Sequence, residues 1–262
     1  MTDPEPTEHL IVEHRGGVLR LLLNQPETFN ALTEEMLVGL VEQLRFATTS
    51  PDVRVVLISG EGPAFSAGAD LSGENPQDKY DGESVDAANV VVQTILDCDK
   101  PVVCGLNGVA AGVGFSLALA CDLIIATESA SLTFGFGAIG LMPDGGASLL
   151  ASAACGRPQA MRLALLSELV SAPDAYSMGL ISQVVPDEDY AQELDRTLNR
   201  LARLAPLALT ATKRAINAAT LDLLDQTFAR ERTGQAMLLR TADAAEGMRA
   251  FVAKRKPNFT GS

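Results

Sequence analysis

A run of small residues from Gly105 to Asp122 is the first stretch whose composition could do chemistry: Gly-Leu-Asn-Gly-Val-Ala-Ala-Gly-Val-Gly-Phe-Ser-Leu-Ala-Leu-Ala-Cys-Asp. Apolar Val102, Val103 and Cys104 read as a strand that enters the glycines, and the glycines lead into a small-residue helix. A helix start leaves backbone N–H groups without intrahelical partners at the positive end of the dipole, aimed at whatever sits there. The same residues can equally form a tight buried turn in which glycine serves packing or a positive φ. A second turn, Phe65-Ser66-Ala67-Gly68-Ala69-Asp70-Leu71, follows the strand-like Val55-Val56-Leu57-Ile58. Farther on, Asp144 follows Gly140-Leu141-Met142-Pro143, with apolar Phe134, Phe136 and Met142 close by in sequence. Such surroundings raise a carboxylate's pKa towards a range useful for moving protons. Asp144 can also cap the helix expected after Pro143, and the two roles do not exclude each other.

The elements that would carry these residues follow from local pattern. His9 to Glu13 and Val18 to Leu23 read as strands joined at Gly16-Gly17 in a two-residue hairpin. Thr33 is placed to cap a helix whose buried face is Met36, Leu37, Leu40, Val41 and Leu44. Residues 72–88 are polar and aperiodic, which predicts a long surface loop, either mobile over a site or an inert insertion. A helix at 88–97 and strands at 102–106, 123–126 and 132–134 then alternate with helical pieces, and Gly156 is expected to end the helix that begins near Asp144. This alternation predicts an α/β core over residues 1–186. From about Pro186 only helices follow (Tyr190 to Leu204, Pro206 to Ala219, Leu221 to Arg240, Ala244 to Lys254), giving a helical region at 187–262 that packs on the core or on a neighbouring subunit.

Composition narrows the class of partner. A chain of 262 residues, 47% hydrophobic and 20% charged, can bury one large core. A formal net charge of −13 argues against nucleic acid or an anionic membrane, and leaves an anionic ligand only local basic patches or helix starts. The acidic start Met1-Thr2-Asp3-Pro4-Glu5-Pro6 has no apolar segment, so no signal peptide is expected, and the apolar window near 102–126 is too interrupted to span a membrane. Cys98, Cys104, Cys121 and Cys155 form no CxxC pair and have no histidine nearby, which predicts reduced thiols in a cytoplasmic protein rather than a metal site or disulfides.

Five motifs in order resemble the crotonase (enoyl-CoA hydratase/isomerase) family: Leu23-Asn24-Gln25-Pro26 with Asn30-Ala31-Leu32, the turn at 65–71, the run at 105–122, Gly140 to Gly146, and Phe251 with Lys254-Arg255-Lys256-Pro257. The resemblance implies a spiral of ββα units with C-terminal helices that build a homotrimer or hexamer. It implies an acyl-CoA thioester as ligand, coenzyme A being part of the substrate, with no other cofactor and no metal. It assigns the oxyanion-hole amides to Ala67 and Val113, the CoA path to Ser66, Ala67, Gly68, Ala69 and Asp70, and the acyl pocket to Gly112 and Phe136. Phe251 and Lys254 would meet the adenine and phosphate end, often from an adjacent subunit. The sequence also departs from the family. Val113 stands where glycine is usual, Gln25 where arginine is common, and Ser116 and Phe136 where hydratases carry their two glutamates. Adding water needs one group to activate it and another to handle the α-proton, so the resemblance implies double-bond isomerisation by Asp144 in preference to hydration. A weak hydratase, or an acyl-CoA binder without catalysis, is the alternative.

Two other motifs fail on their own terms. Gly135-Phe136-Gly137-Ala138-Ile139-Gly140 matches the dinucleotide fingerprint, but Pro143 interrupts the helix that should follow and no acid stands about 20 residues on. Ser116 as a nucleophile lacks a partner, since His9 and His14 both sit in the N-terminal hairpin.

Overall fold

Gly16 and Gly17, at φ 62° and 80°, turn the chain between strands β1 (Leu10–Arg15) and β2 (Val18–Leu23) at the edge of the larger of two sheets. The computed structural model describes residues 8–73 and 76–262; the acidic start at 1–7 and Glu74-Asn75 of the expected loop lie outside the described residues. Helix α1 (Glu34–Thr49) starts where Thr33 accepts a hydrogen bond from the Met36 amide, and it buries Met36, Leu40, Val41 and Leu44.

The chain then winds as a spiral, laying one strand in each sheet before returning by a helix. Strands β3 (Val55–Gly60) and β4 (Ala64–Ser66) lead to α2 (Gly82–Asp97). Strands β5 (Val102–Leu106) and β6 (Val109–Ala111) lead to α3 (Val113–Ala120), and β7 (Leu123–Thr127) and β8 (Ser131–Thr133) to α4 (Ala147–Leu166). A short strand β9 (Val170–Ser171), helix α5 (Ala172–Met178) and β10 (Gln183–Val185) close it. The larger sheet has the order β1-β2-β3-β5-β7-β10 and is parallel from β2 onward; the smaller has the order β4-β6-β8-β9. The architecture is α/β, as the strand–helix alternation predicts.

Successive residues of a strand face opposite ways, and here both faces of the larger sheet are covered. Val56, Ile58, Val102, Cys104 and Leu106 belong to the main core, while Val55, Leu57, Val103 and Ile125 pack with Leu194 and Leu198 of α6 (Tyr190–Arg203). Lys213, on α7 (Pro206–Thr220), is buried: its ammonium pairs with Asp122 at 2.9 Å and donates to the Ile95 carbonyl, which ties that helix to the sheet. Helices α8 (Leu224–Leu238) and α9 (Ala242–Val252) fold back against the loop at 136–144, so the helical region supplies part of the core's own surface.

One expectation is corrected. The polar stretch 72–88 is not one long loop. Asp81 accepts hydrogen bonds from the Glu83 and Ser84 amides while Ser84 reaches back to the Asp81 amide, and this reciprocal cap starts α2 at Gly82. Gly156, at φ 74° and ψ 158°, ends the first part of α4 where the sequence predicts a stop, and Pro158 starts the second part in its first turn, where a missing N–H costs nothing.

Candidate active site

A cavity of about 650 Å³ opens between the two glycine turns, the Asp144 loop and helices α1, α2, α8 and α9. Its walls include Ala67, Ala69, Asp70, Gly112, Val113, Phe136, Asp144 and Phe251. The sequence-predicted Ser66, Gly68 and Lys254 are not among them, and each has a physical reason. Ser66 is fully buried, its Oγ donating to the Asn30 carbonyl and accepting from the Gly68 amide. Gly68 is where the two turns meet: at φ 87°, a Cβ there would stand 2.6 Å from the Ala111 carbonyl oxygen and 3.4 Å from the Val113 nitrogen. Lys254 lies past the end of α9 at φ 50°, exposed and off the cavity wall.

The backbone donors of these turns also differ from expectation. The Ala67 amide donates to the Phe29 carbonyl at 2.8 Å, so it has no proton left for a ligand. Two residues on, Ala69 lines the cavity, and its amide donates to no group among the described residues. The correction follows from the strand: β4 ends at Ser66, Ala67 still pairs across to Phe29, and only after Gly68 reverses the chain is an amide released. The second donor expected from the resemblance is the Val113 amide. Val113 is the first residue of α3, after Gly112 at φ 53° and ψ −130°, and its amide likewise has no partner among the described residues. Its branched side chain is buried and leaves that amide uncovered by any hydrogen bond.

The same cavity is lined by Asp144. Helix α4 is not capped by Asp144: its N-cap is Gly146, and the amides of Gly146 and Ser148 donate instead to the Glu231 carboxylate on α8, at 2.7 and 3.0 Å. Released from capping, the Asp144 carboxyl lies on the cavity wall. Its Oδ2 accepts from Gln235 Nε2 at 2.9 Å, and its Oδ1 is buried with no hydrogen-bond partner among the described residues. Burial pushes its pKa from 3.8 up to about 7; the Gln235 hydrogen bond opposes that rise and the nearby Glu231 charge adds to it. Ser116 Oγ donates to the Asp144 carbonyl at 2.8 Å, fastening the loop to α3. Glu231 and Gln235 are not singled out by sequence reading. Their spacing of one helical turn is the only signal they leave, and it does not say what they face.

Apolar side chains fill the rest of the wall near the acid: Phe134, Phe136, Ile139, Leu141, Leu239 and Met248. The mouth is ionic, with Lys79 paired to Asp70 at 2.7 Å and the Tyr80 hydroxyl donating to the Asp70 carbonyl. Such a site can polarise a carbonyl with two main-chain amides while a buried carboxyl in the same cavity exchanges a proton. Among the described residues no cluster of three or more His, Cys, Asp or Glu could hold a metal ion, and no helix is long and apolar enough to cross a membrane.

Comparison with known proteins points to one family. The family model for enoyl-CoA hydratase/isomerase matches residues 13–262. The 1,2-epoxyphenylacetyl-CoA isomerase of Escherichia coli K12 is 39% identical over 97% of this chain and 99% of its own length. The 2,3-dehydroadipyl-CoA hydratase of the same organism is 34% identical over 96% of this chain and 98% of its own. Among solved structures, an enoyl-CoA hydratase from Mycobacterium avium subsp. paratuberculosis K-10 superposes with a TM-score of 0.92 at 42% identity, covering 97% of this chain and all of the other.

Proposed function

The chain belongs to the enoyl-CoA hydratase/isomerase family, and from that premise we propose that it moves a double bond within an acyl-CoA thioester, with Asp144 as its single acid–base group. The observation that carries this reading is the Asp144 carboxyl itself: on the cavity wall, one oxygen held by Gln235, the other unpartnered among the described residues. In the charged form Oδ1 takes a proton from the α carbon of a 3-enoyl thioester. The electron pair spreads over the double bond onto the thioester oxygen, which the Ala69 and Val113 amides hold. The newly protonated carboxyl then returns its proton to the γ carbon, giving the 2-enoyl thioester. Donors preset around a developing oxyanion are each worth about 2.7–4 kcal/mol where one has been removed.

Relatives named as hydratases keep water addition as a second reading. Against it, Ser116 is fully buried and engaged with the Asp144 carbonyl, and Phe136 presents a hydrocarbon ring where a second acid would be needed. A binder without catalysis would not require a buried acid at the cavity wall at all. The exposed apolar residues Leu165, Leu166, Leu169, Leu207, Ile216 and Met237 support a homo-oligomer in which a neighbouring copy covers them. The test offers the purified protein 3-enoyl-CoA and 2-enoyl-CoA separately. Isomerisation of the first with little hydration of the second is expected; brisk hydration would overturn the choice of reaction, and tight binding with neither activity would favour the binder.

A further inference from the structure

Gln235 makes three hydrogen bonds at the Asp144 loop, and together they fix more than the loop's shape. Its Oε1 accepts from the Met142 amide at 3.2 Å, and its Nε2 donates to the Met142 carbonyl at 3.0 Å and to Asp144 Oδ2 at 2.9 Å. All polar atoms of this 2% exposed side chain are thereby engaged, and it cannot rotate without breaking the set. Helix α8, which carries it, is itself anchored one turn earlier, where Glu231 (1% exposed) receives the first amides of α4. Resting on the reading of Asp144 as the acid–base group, we propose that Gln235 is a positioning residue for the reaction. It holds Oδ2, so that Oδ1 alone faces the cavity and carries the proton.

Two consequences follow from the chemistry of an amide donor. An N–H bonded to a carboxylate favours its charged form, which is the form that accepts a proton. A carboxyl pinned at one oxygen also cannot turn its free oxygen away from the substrate, so Gln235 acts on turnover more than on binding. Other groups bear on the same titration. Glu231 opposes ionisation from the same helix, and the ionisable side chains at the mouth are Glu34, Asp70, Lys79, Tyr80, Asp81 and Glu83.

The experiment compares wild type with Gln235→Leu, which removes the donor, and Gln235→Glu, which keeps an acceptor for the Met142 amide but sets a second acid beside Asp144. Infrared spectroscopy follows the protonated-carboxyl band that Asp144→Asn abolishes, as a function of pH. Both variants are expected to move its midpoint upward, by about one pH unit or more. They are also expected to lower kcat for isomerisation roughly tenfold to a hundredfold with little change in KM. A merely structural Gln235 would lower the melting temperature and leave the midpoint in place, and that result overturns the proposal in whichever variant folds. The infrared titration needs no turnover. A moved midpoint in a protein that never isomerises therefore sinks the functional reading alone, and an unmoved midpoint in an active enzyme sinks the role of Gln235 alone.

Discussion

The cavity has two working walls, and they are built in opposite ways. The wall proposed to hold the carbonyl is main chain: among the described residues the amides of Ala69 and Val113 have no acceptor, because Gly68 and Gly112, at φ 87° and 53°, turn the chain out of the strands before them. The acid wall is side chain: Asp144 is placed by Gln235, 91 residues away in sequence, and its loop by Glu231 and Ser116. The first wall tolerates a change of side chain as long as the backbone keeps its course, which is how Val113 serves at a helix start. The second depends on particular functional groups, and on their burial. On the proposed reading, the part that must not move is made from backbone, and the part that must change its charge is a buried carboxyl held by the Gln235 amide.

Breaking each wall separately sharpens this contrast. Asp144→Asn keeps size and burial and removes the proton acceptor, so isomerisation should fall by about 10²–10⁴-fold in kcat, the usual share of a positioned acid–base group, while acyl-CoA binding by calorimetry stays within a few fold. Val113→Pro removes one amide at a helical position where proline is tolerated; a loss of about 10²–10³ in kcat is expected with the circular dichroism unchanged. The walls should also differ in their response to pH. Asp144 titrates near 7 when folded against 3.8 unfolded, so the native state binds the extra proton and wild type loses stability as pH rises from about 4 to 7. Each pH unit between those two values is worth about 1.4 kcal/mol, so Asp144→Asn should melt higher than wild type by several degrees at pH 8, the gap closing towards pH 4. Gly68→Ala forces a Cβ to 2.6 Å from the Ala111 oxygen at a strained φ, and should lower stability by about 1–3 kcal/mol in denaturant titration and reduce kcat with it. Thr33→Ala, at the α1 side of the cavity and away from the two amides and the acid in sequence, should cost about 1 kcal/mol through its lost cap and change kcat by no more than a few fold.

How far the sequence reads depends on which wall is considered. The hairpin at Gly16-Gly17, the Thr33 cap, strands β1, β2, β3, β5 and β7, and the small-residue helix after the glycines are local events, decided by residues a few positions apart, and each is found where its pattern predicts. The choice between Ala67 and Ala69 as donor is one dihedral finer than a motif can resolve, since it turns on which amide still pairs with Phe29. From sequence, Asp144 reads as a base that could also cap the following helix. The cap is delivered by Glu231 from α8, a contact across 85 residues with no local trace. The polar stretch at 72–88 misleads for another reason: a capping box in a run of small and acidic residues starts α2 before any apolar period begins.

The most direct test of the central claim follows the hydrogens themselves. A 3-enoyl-CoA carrying deuterium at its α carbon is incubated with wild type and with Asp144→Asn, and the label is located by nuclear magnetic resonance. In wild type the label should leave the α carbon, part reappearing at the γ carbon and part exchanged into water. In Asp144→Asn, with the thioester still bound, it should stay where it was placed. Label that moves in Asp144→Asn as fast as in wild type would contradict the account, because some other group would then be carrying the proton.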